Sequence, residues 1–365
     1  MQNAQPRRNE ENYMTIKEIL ELAKEIDASD IHMAPGSPMM FRTNGRLVPK
    51  DEEILRPAEI DKLVHEIMTK EQLALLKEVG EQDFAYAIPG FCRTRVNVFS
   101  QRGTYAASLR ILSYEVPAPE KLGIPKSVVE LTEKRRGLIL VTGTAGSGKS
   151  TTLASLIDVI AERDYKNIIT LEDPIEYLHS NKKSIVSQRE IGCDIKNYAE
   201  GIKAALRQDP DVIMVGEMSD MDTISTALAA AETGHLVFAT LHTSNAVDAI
   251  ARIVDVFPPY QQQQVRVQLA SVLRGIVAQQ LLPRSDVRGR VGIFEVLLGN
   301  PTVRNMIREG KIHQIPGIIT KSKKEGMQSM DDAITDAYMR SQISMETAIA
   351  YAYDPDAMSQ KVQIF

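Results

Sequence analysis

The chain has 365 residues, of which 43% are hydrophobic, and its 43 Lys and Arg against 48 Asp and Glu give a net charge of −5. That length predicts two or three domains, and the lack of a basic excess argues against nucleic acid as the main partner. Two distant cysteines, Cys92 and Cys193, exclude a disulfide framework or a four-cysteine zinc site, and no run approaches the ~20 apolar residues of a membrane span, so a cytoplasmic location without a transmembrane segment is expected.

Residues 1–13 are polar and aperiodic, which predicts a disordered tail. Thr15-Ile-Lys-Glu18 reads as a capping box for a helix with Ile16, Ile19, Leu20, Ala23 and Ile26 on one face. Extended runs come next at 31–33 and 39–42, and Asn44-Gly45 is a hairpin signal. Helices are predicted over 57–68 and 70–79. Strands are predicted over 84–87, 91–100 and 104–112, with turns at Pro89-Gly90 and Arg102-Gly103. Together these make an α+β domain over 14–114. The aperiodic stretch 115–121, with two prolines, reads as an interdomain linker.

From residue 122 to 365 strands alternate with helices, the signature of a parallel sheet. Runs 138–141, 167–171, 212–215 and 236–241 read as buried strands. Each delivers polar residues at its carboxyl end: a glycine-rich loop, Glu172-Asp173, Glu217 and His242. In open α/β sheets that edge binds ligands. Helices are predicted over 152–161, 198–207, 221–232 (stopped by Gly234) and 246–254 (capped by Ser244). A glutamine-rich helix over 260–282 is expected to bury Val265, Leu269, Val272, Leu273 and Ile276. A strand-like run 291–297 and short helices complete the chain.

Gly143, Thr144, Ala145, Gly146, Ser147, Gly148, Lys149, Ser150 and Thr151 satisfy G-x-x-x-x-G-K-[ST] between a strand and a helix, the context of a phosphate-binding P-loop. Such a loop points backbone N–H groups at phosphate, and the helix N-terminus adds positive charge. Lys149 is expected to reach the β- and γ-phosphates of ATP, and the Ser150 hydroxyl to ligate Mg²⁺. Glu217, one residue past a buried strand, is the candidate base that orients the attacking water and takes its proton. Where a Mg²⁺-linked aspartate often ends such a strand, this chain has Gly216, so that role passes to Glu172 or Asp173 acting through Mg²⁺-bound water. Ser150, Glu172 and Glu217 are the candidate metal residues. His242 is placed to sense the γ-phosphate, since imidazole switches between donor and acceptor. His235, seven residues earlier, would lie on the opposite face of a regular strand, which argues against a shared metal. His235 and Arg207 are counted as candidate nucleotide-binding residues. Arg93, Arg95, Arg102 and Arg110 crowd two adjacent strands of the first domain and suit phosphate contact, in cis or from a neighbouring subunit.

Ile169-Thr-Leu-Glu-Asp-Pro-Ile-Glu-Tyr177 resembles an aspartate box. Leu206-Arg-Gln-Asp-Pro-Asp-Val-Ile-Met-Val-Gly-Glu217 resembles a Walker B segment, and Thr233-Gly-His-Leu-Val-Phe-Ala-Thr-Leu-His242 a histidine box. With the P-loop, these four motifs resemble the type II/type IV secretion superfamily of hexameric ATPases. Pro301-Thr-Val-Arg-Asn-Met-Ile-Arg-Glu309 is similar to the C-terminal motif of its pilus-retraction branch. The resemblance implies an α/β chain with an N-terminal PAS-like domain and a RecA-like P-loop domain, the latter built on a mainly parallel sheet. It implies a homohexamer that couples ATP hydrolysis to type IV pilus retraction and twitching motility. It also implies docking on an inner-membrane pilus platform protein of the PilC type, peripherally at the inner face of the cytoplasmic membrane. Lys149, Glu172 and Glu217 would act in hydrolysis, and Arg95 and Arg110 would reach nucleotide in the ring. Ser219 stands where the family usually has arginine, and Thr144-Ala145 where retraction ATPases usually have proline-threonine. An accessory or assembly ATPase of the same superfamily and a RecA-like nucleic-acid motor are the competing readings.

Overall fold

The computed structural model describes residues 14–43, 46–88, 91–112 and 116–363. The tail 1–13, the turns at Asn44-Gly45 and Pro89-Gly90, and Glu115 of the expected linker lie outside the described residues. The chain divides into two compact units, 1–114 and 115–365.

In the first unit, Thr15 closes a reciprocal cap. Its N–H donates to Glu18 Oε2 at 2.7 Å, and the Glu18 N–H donates to its Oγ1 at 3.3 Å. Helix α1 (Ile16–Glu25) then buries Ile16, Ile19, Leu20 and Ala23, whereas Ile26, expected on that face, falls past the helix end and is exposed. Strands β1 (Ala28–Met33), β2 (Pro38–Thr43) and β3 (Arg46–Ile54) lead to helices α2 (Pro57–Ile67) and α3 (Lys70–Val79). Strands β4 (Glu81–Ile88), β5 (Cys92–Gln101) and β6 (Thr104–Leu112) complete a six-stranded antiparallel sheet of order β3-β2-β1-β6-β5-β4. Ile31, Phe41, Val96 and Leu109 pack beneath Ile19, Ile60 and Val64 of the helices. Arg102 lies in the β5–β6 turn with φ 48° rather than on a strand.

The second unit starts inside the expected linker. Pro119 is buried at the head of α4 (Pro119–Leu122), because its fixed φ suits a first helical turn and Gly123 ends that turn. Short α5 (Lys126–Val129) precedes β7 (Gly137–Thr142) and α6 (Lys149–Arg163), and α4 packs against α6. Next come β8 (Asn167–Glu172), β9 (Ile185–Glu190), α7 (Tyr198–Ala205), β10 (Val212–Val215), α8 (Met221–Glu232), β11 (Leu236–Leu241) and α9 (Ala246–Asp255). After these lie α10 (Pro259–Val272), β12 (Leu273–Pro283) and β13 (Arg290–Leu298). The sheet order is β13-β12-β7-β11-β10-β8-β9, parallel throughout except for the antiparallel edge strand β13.

Strands β7, β10 and β11 are buried along their whole length, as strands covered on both faces must be. Leu138 and Leu140 of β7 enter one core with α8, α9 and α10, and Ile139 and Val141 enter another with α6. Helices α11 (Pro301–Arg308), α12 (Ile315–Lys321), α13 (Met330–Met339), α14 (Met345–Tyr351) and α15 (Pro355–Gln363) close the unit.

Two local expectations are corrected, and one strand is not foreseen. The glutamine-rich helix ends at Val272, and Leu273–Pro283 is the strand β12 between β7 and β13. Its spacing mimics a helical stripe, but two flanking strands satisfy its backbone in the sheet. Asn245, not Ser244, caps α9, accepting from the Asp248 N–H at 2.8 Å. Strand β9 pairs in parallel with β8, and its half-exposed Ile-Val-Ser-Gln-Arg-Glu sequence carries no strand signal.

Candidate active site at the carboxyl edge of the parallel sheet

Strands β7, β11, β10 and β8 are direct neighbours and run the same way, so their carboxyl ends open onto one cleft of about 920 Å³. Ala145, Gly146, Lys149, Ser150, Glu172, Asp173, Glu217 and His242 all line it. The loop is packed onto β12. Gly148 has φ 89°, and a Cβ there would come 2.9 Å from Gln279 Nε2, so both backbone angle and space require glycine. Gln279 is buried, and its Oε1 accepts from Thr152 Oγ1 at 2.7 Å, which ties the first turns of α6 to the strand beneath.

Lys149 is 8% exposed. Its ammonium donates to the Gly143 and Thr144 carbonyls at 2.8 and 3.0 Å and lies 3.4 Å from His242 Nδ1. Burial pushes its pKa below the usual lysine value, and Glu217 and Glu176 oppose that shift. The other imidazole nitrogen, His242 Nε2, is 3.6 Å from Glu217 Oε2, so His242 stands between the P-loop lysine and the candidate base. Glu217 and His242 keep 39% and 51% of their side chains exposed, which leaves both accessible from the cleft.

Glu172 differs from Glu217. It is buried, and its Oε1 accepts from Thr170 Oγ1 at 2.6 Å and Gln188 Nε2 at 3.0 Å. Burial raises its carboxyl above the usual range despite those donors. Gln188 also donates to the Tyr177 carbonyl at 2.8 Å and accepts from the His179 N–H at 2.8 Å, so β9 braces the loop after Glu172. Thr151 Oγ1 lies 3.0 Å from the Tyr177 hydroxyl.

The donor set fits nucleotide and metal. Ser147 Oγ is buried within the loop and has no hydrogen-bond partner among the described residues, which suits a bound oxyanion. A divalent cation would draw the Glu172 carboxyl back to its ionised form. Among the described residues no group of three or more His, Cys, Asp or Glu is arranged around one point. Mg²⁺ needs none, because it takes one or two protein ligands with phosphate and water.

Two candidates fall elsewhere. His235 precedes β11, at the end remote from the cleft, where its Nδ1 lies 3.0 Å from the Ala230 carbonyl and 3.3 Å from Thr233 Oγ1. Arg207 comes after α7, with Nη1 donating to the Lys203 carbonyl at 3.0 Å, and it too lies on the side where β10 begins. Neither lines this subunit's cleft. In the first unit, register sets Arg95 of β5 opposite Arg110 of β6, and Arg110 opposite Asp30 of β1. Arg110 Nε donates to Asp30 Oδ1 at 2.9 Å, and Arg95 lies 3.9 Å from Asp83.

Tyr198, Tyr177, Gln188, Gln279 and Thr240 escape a reading of the sequence alone. They reach the cleft or its supports through tertiary packing; Tyr177 and Thr240 lie inside the aspartate-box and histidine-box stretches, but neither stretch singles them out. Thr240 Oγ1 donates to the Gly216 carbonyl, and the Met218 N–H to the Thr240 carbonyl at 3.0 Å, which fixes the turn carrying Glu217.

Residues 9–349 match the family described as type II/IV secretion system protein. The type IV pilus retraction ATPase PilT of Pseudomonas aeruginosa is 40% identical over 94% of this chain and 99% of its own length. A twitching motility protein of Neisseria gonorrhoeae is 41% identical over 88% of this chain and 86% of its own. The crystal structure of the pilus retraction motor PilT with bound ADP superposes with a TM-score of 0.89 at 47% identity, covering 95% of this chain and 99% of that one. Among the described residues no helix is long and apolar enough to cross a membrane. A P-loop whose lysine meets the strand-end histidine, itself beside Glu217, together with likeness over nearly the whole length, makes this chain a member of the type II/IV secretion system protein family, among its pilus-retraction ATPases.

Proposed function

We propose that the chain is a Mg²⁺-dependent ATPase that works as a ring of six and drives type IV pilus retraction. In this reading the first unit is PAS-like and the second RecA-like. The observation that carries the proposal is the convergence of Lys149, Glu172, Glu217 and His242 on one cleft beside a P-loop. The loop N–H groups and the start of α6 hold the phosphates of ATP. Lys149, now on the loop carbonyls, turns to the phosphate oxygens when they arrive. Ser150 and Glu172 are the residues that would hold Mg²⁺, which neutralises charge building on the transferred phosphoryl group. Glu217, open to the cleft, orients the attacking water and accepts its proton. His242 touches both the lysine and the base, so loss of the γ-phosphate changes its partners and is passed to the loop before α9.

Arg95 and Arg110 are proposed to complete the site of a neighbouring subunit as phosphate ligands, which would make turnover depend on assembly. The partner is proposed to be a pilus platform protein at the inner face of the cytoplasmic membrane. The test is steady-state ATP turnover of the full chain beside Glu217→Gln, with nucleotide affinity measured by titration. A variant that binds ATP as wild type does but hydrolyses it at least ~100-fold more slowly supports the assignment. Undiminished turnover removes it.

A further inference from the structure

The end of β10 has a gap and something that fills it. At Gly216 an added Cβ would meet the Tyr198 hydroxyl at 2.8 Å, the Leu171 carbonyl at 3.1 Å and the Glu172 Cα at 3.4 Å. A side chain at position 216 would crowd the Tyr198 hydroxyl and the β8 backbone, and that space is taken by a phenol from the first residue of α7. Tyr198 lines the cleft with Glu172, Asp173 and Glu217. Its hydroxyl sits against the backbone of the residue that precedes the candidate base. A phenol carries an O–H that can donate a hydrogen bond.

We propose that Tyr198 is a positioning residue for hydrolysis: from the space left by Gly216 its hydroxyl, which makes no hydrogen bond to Glu217 in this structure, is placed to donate one when the attacking water is bound and so to aim the Glu217 carboxylate at that water. The inference rests on Glu217 being the base. Glu217 is approached by His242 at 3.6 Å and is 39% exposed, so without a second contact its carboxylate would sample several rotamers. A base must lie within hydrogen-bond reach of the proton it takes, and small misplacement is costly. Because Tyr198 acts through Glu217, its loss should lower kcat and leave ground-state nucleotide binding alone.

The experiment compares wild type, Tyr198→Phe, Glu217→Gln and the double variant as full chains. It reads kcat and KM for ATP, the affinity for a fluorescent ADP analogue, and the thermal midpoint. Tyr198→Phe is expected to lower kcat ~10-fold or more, with KM, ADP affinity and midpoint near wild type. In single-turnover assays the double variant is expected to be no slower than Glu217→Gln alone, the non-additivity of two residues acting as one unit. Gly216→Ala gives a second route, since its Cβ displaces the hydroxyl; it should also lower kcat. Unchanged kcat in Tyr198→Phe overturns the proposal. So does a parallel loss of ADP affinity, or a further slowing in the Glu217→Gln background, either of which assigns Tyr198 a separate role. Full activity of Glu217→Gln instead sinks the assignment of the base, whatever Tyr198→Phe does.

Discussion

The two units place charged residues by opposite geometries. In the second unit's sheet every strand but the edge strand β13 ends on the same side, so four strand ends fall together and the residues just past them line the cleft. In the antiparallel sheet neighbouring ends point opposite ways, and its basic residues meet in mid-strand through register. Arg95 faces Arg110, Arg110 faces Asp30, and Asp30 faces Arg42 across β5, β6, β1 and β2. A parallel sheet gathers its site along one edge, whereas an antiparallel sheet spreads it as a row across its face. The first suits a pocket that encloses phosphate, and the second suits a surface presented to one.

The largest expected effect breaks the parallel half of this contrast. Lys149→Ala removes the loop side chain that bridges to His242, and nucleotide affinity should fall by ~100-fold or more in a titration. Retained affinity would mean that loop N–H groups alone hold the phosphates.

Next, Arg110→Ala or Arg95→Ala should cut ATP turnover by ~100-fold or more while ring formation, read by sizing, persists. Turnover within twofold of wild type would reduce the arginine row to a solvated sheet face.

A smaller effect tests the floor of the pocket. Gln279→Ala strands the buried Thr152 hydroxyl and should cost ~1–3 kcal/mol of stability in denaturant unfolding, with weaker ATP binding.

The smallest concerns Asp30, where the sign is defined. Burial alone would raise its carboxyl; hydrogen bonds from Arg110 and Ser29 outweigh that and hold it below the usual range. A depressed folded value contributes stability above the unfolded value of 3.8, and that contribution is lost as pH falls through the folded value. Wild type should therefore exceed Asp30→Asn in stability by no more than ~1 kcal/mol at neutral pH, since Arg110 is 68% exposed, and the gap should close in acid. A gap that widens on acidification would contradict the pairing.

The same contrast governs how far the site was legible in the sequence. Glu172, Glu217 and His242 could be read because each lies just beyond or at the end of an apolar run, and a parallel sheet turns that position into a place, while Lys149 was marked by the P-loop pattern. The P-loop carries its own backbone code in Gly148. Gln279 could not be read, since Leu273–Pro283 has apolar spacing compatible with a helix and becomes a strand only once β7 and β13 flank it. Tyr198 heads a helix like any other cap-adjacent residue, and its meaning depends on the hole at Gly216, which exists only in three dimensions. His235 lies at the other end of β11 from this cleft, since motif membership says nothing about which end of a strand a residue occupies. In the antiparallel sheet the strands were legible from alternation and, at Arg102-Gly103, from a turn signal, but the pairing of Arg110 with Asp30, 80 residues apart, was not.

In the proposed reading, the cleft of one chain is completed by Arg95 and Arg110 of a neighbouring chain. The most direct measurement is ATP turnover per subunit against protein concentration, with particle size tracked in parallel. Turnover is expected to rise steeply as a ring of six forms, and to stay at the basal level in Arg110→Ala even when the ring is assembled. Turnover per subunit that is constant from dissociated chain to full ring would contradict it, and would make the cleft of a single chain sufficient for hydrolysis.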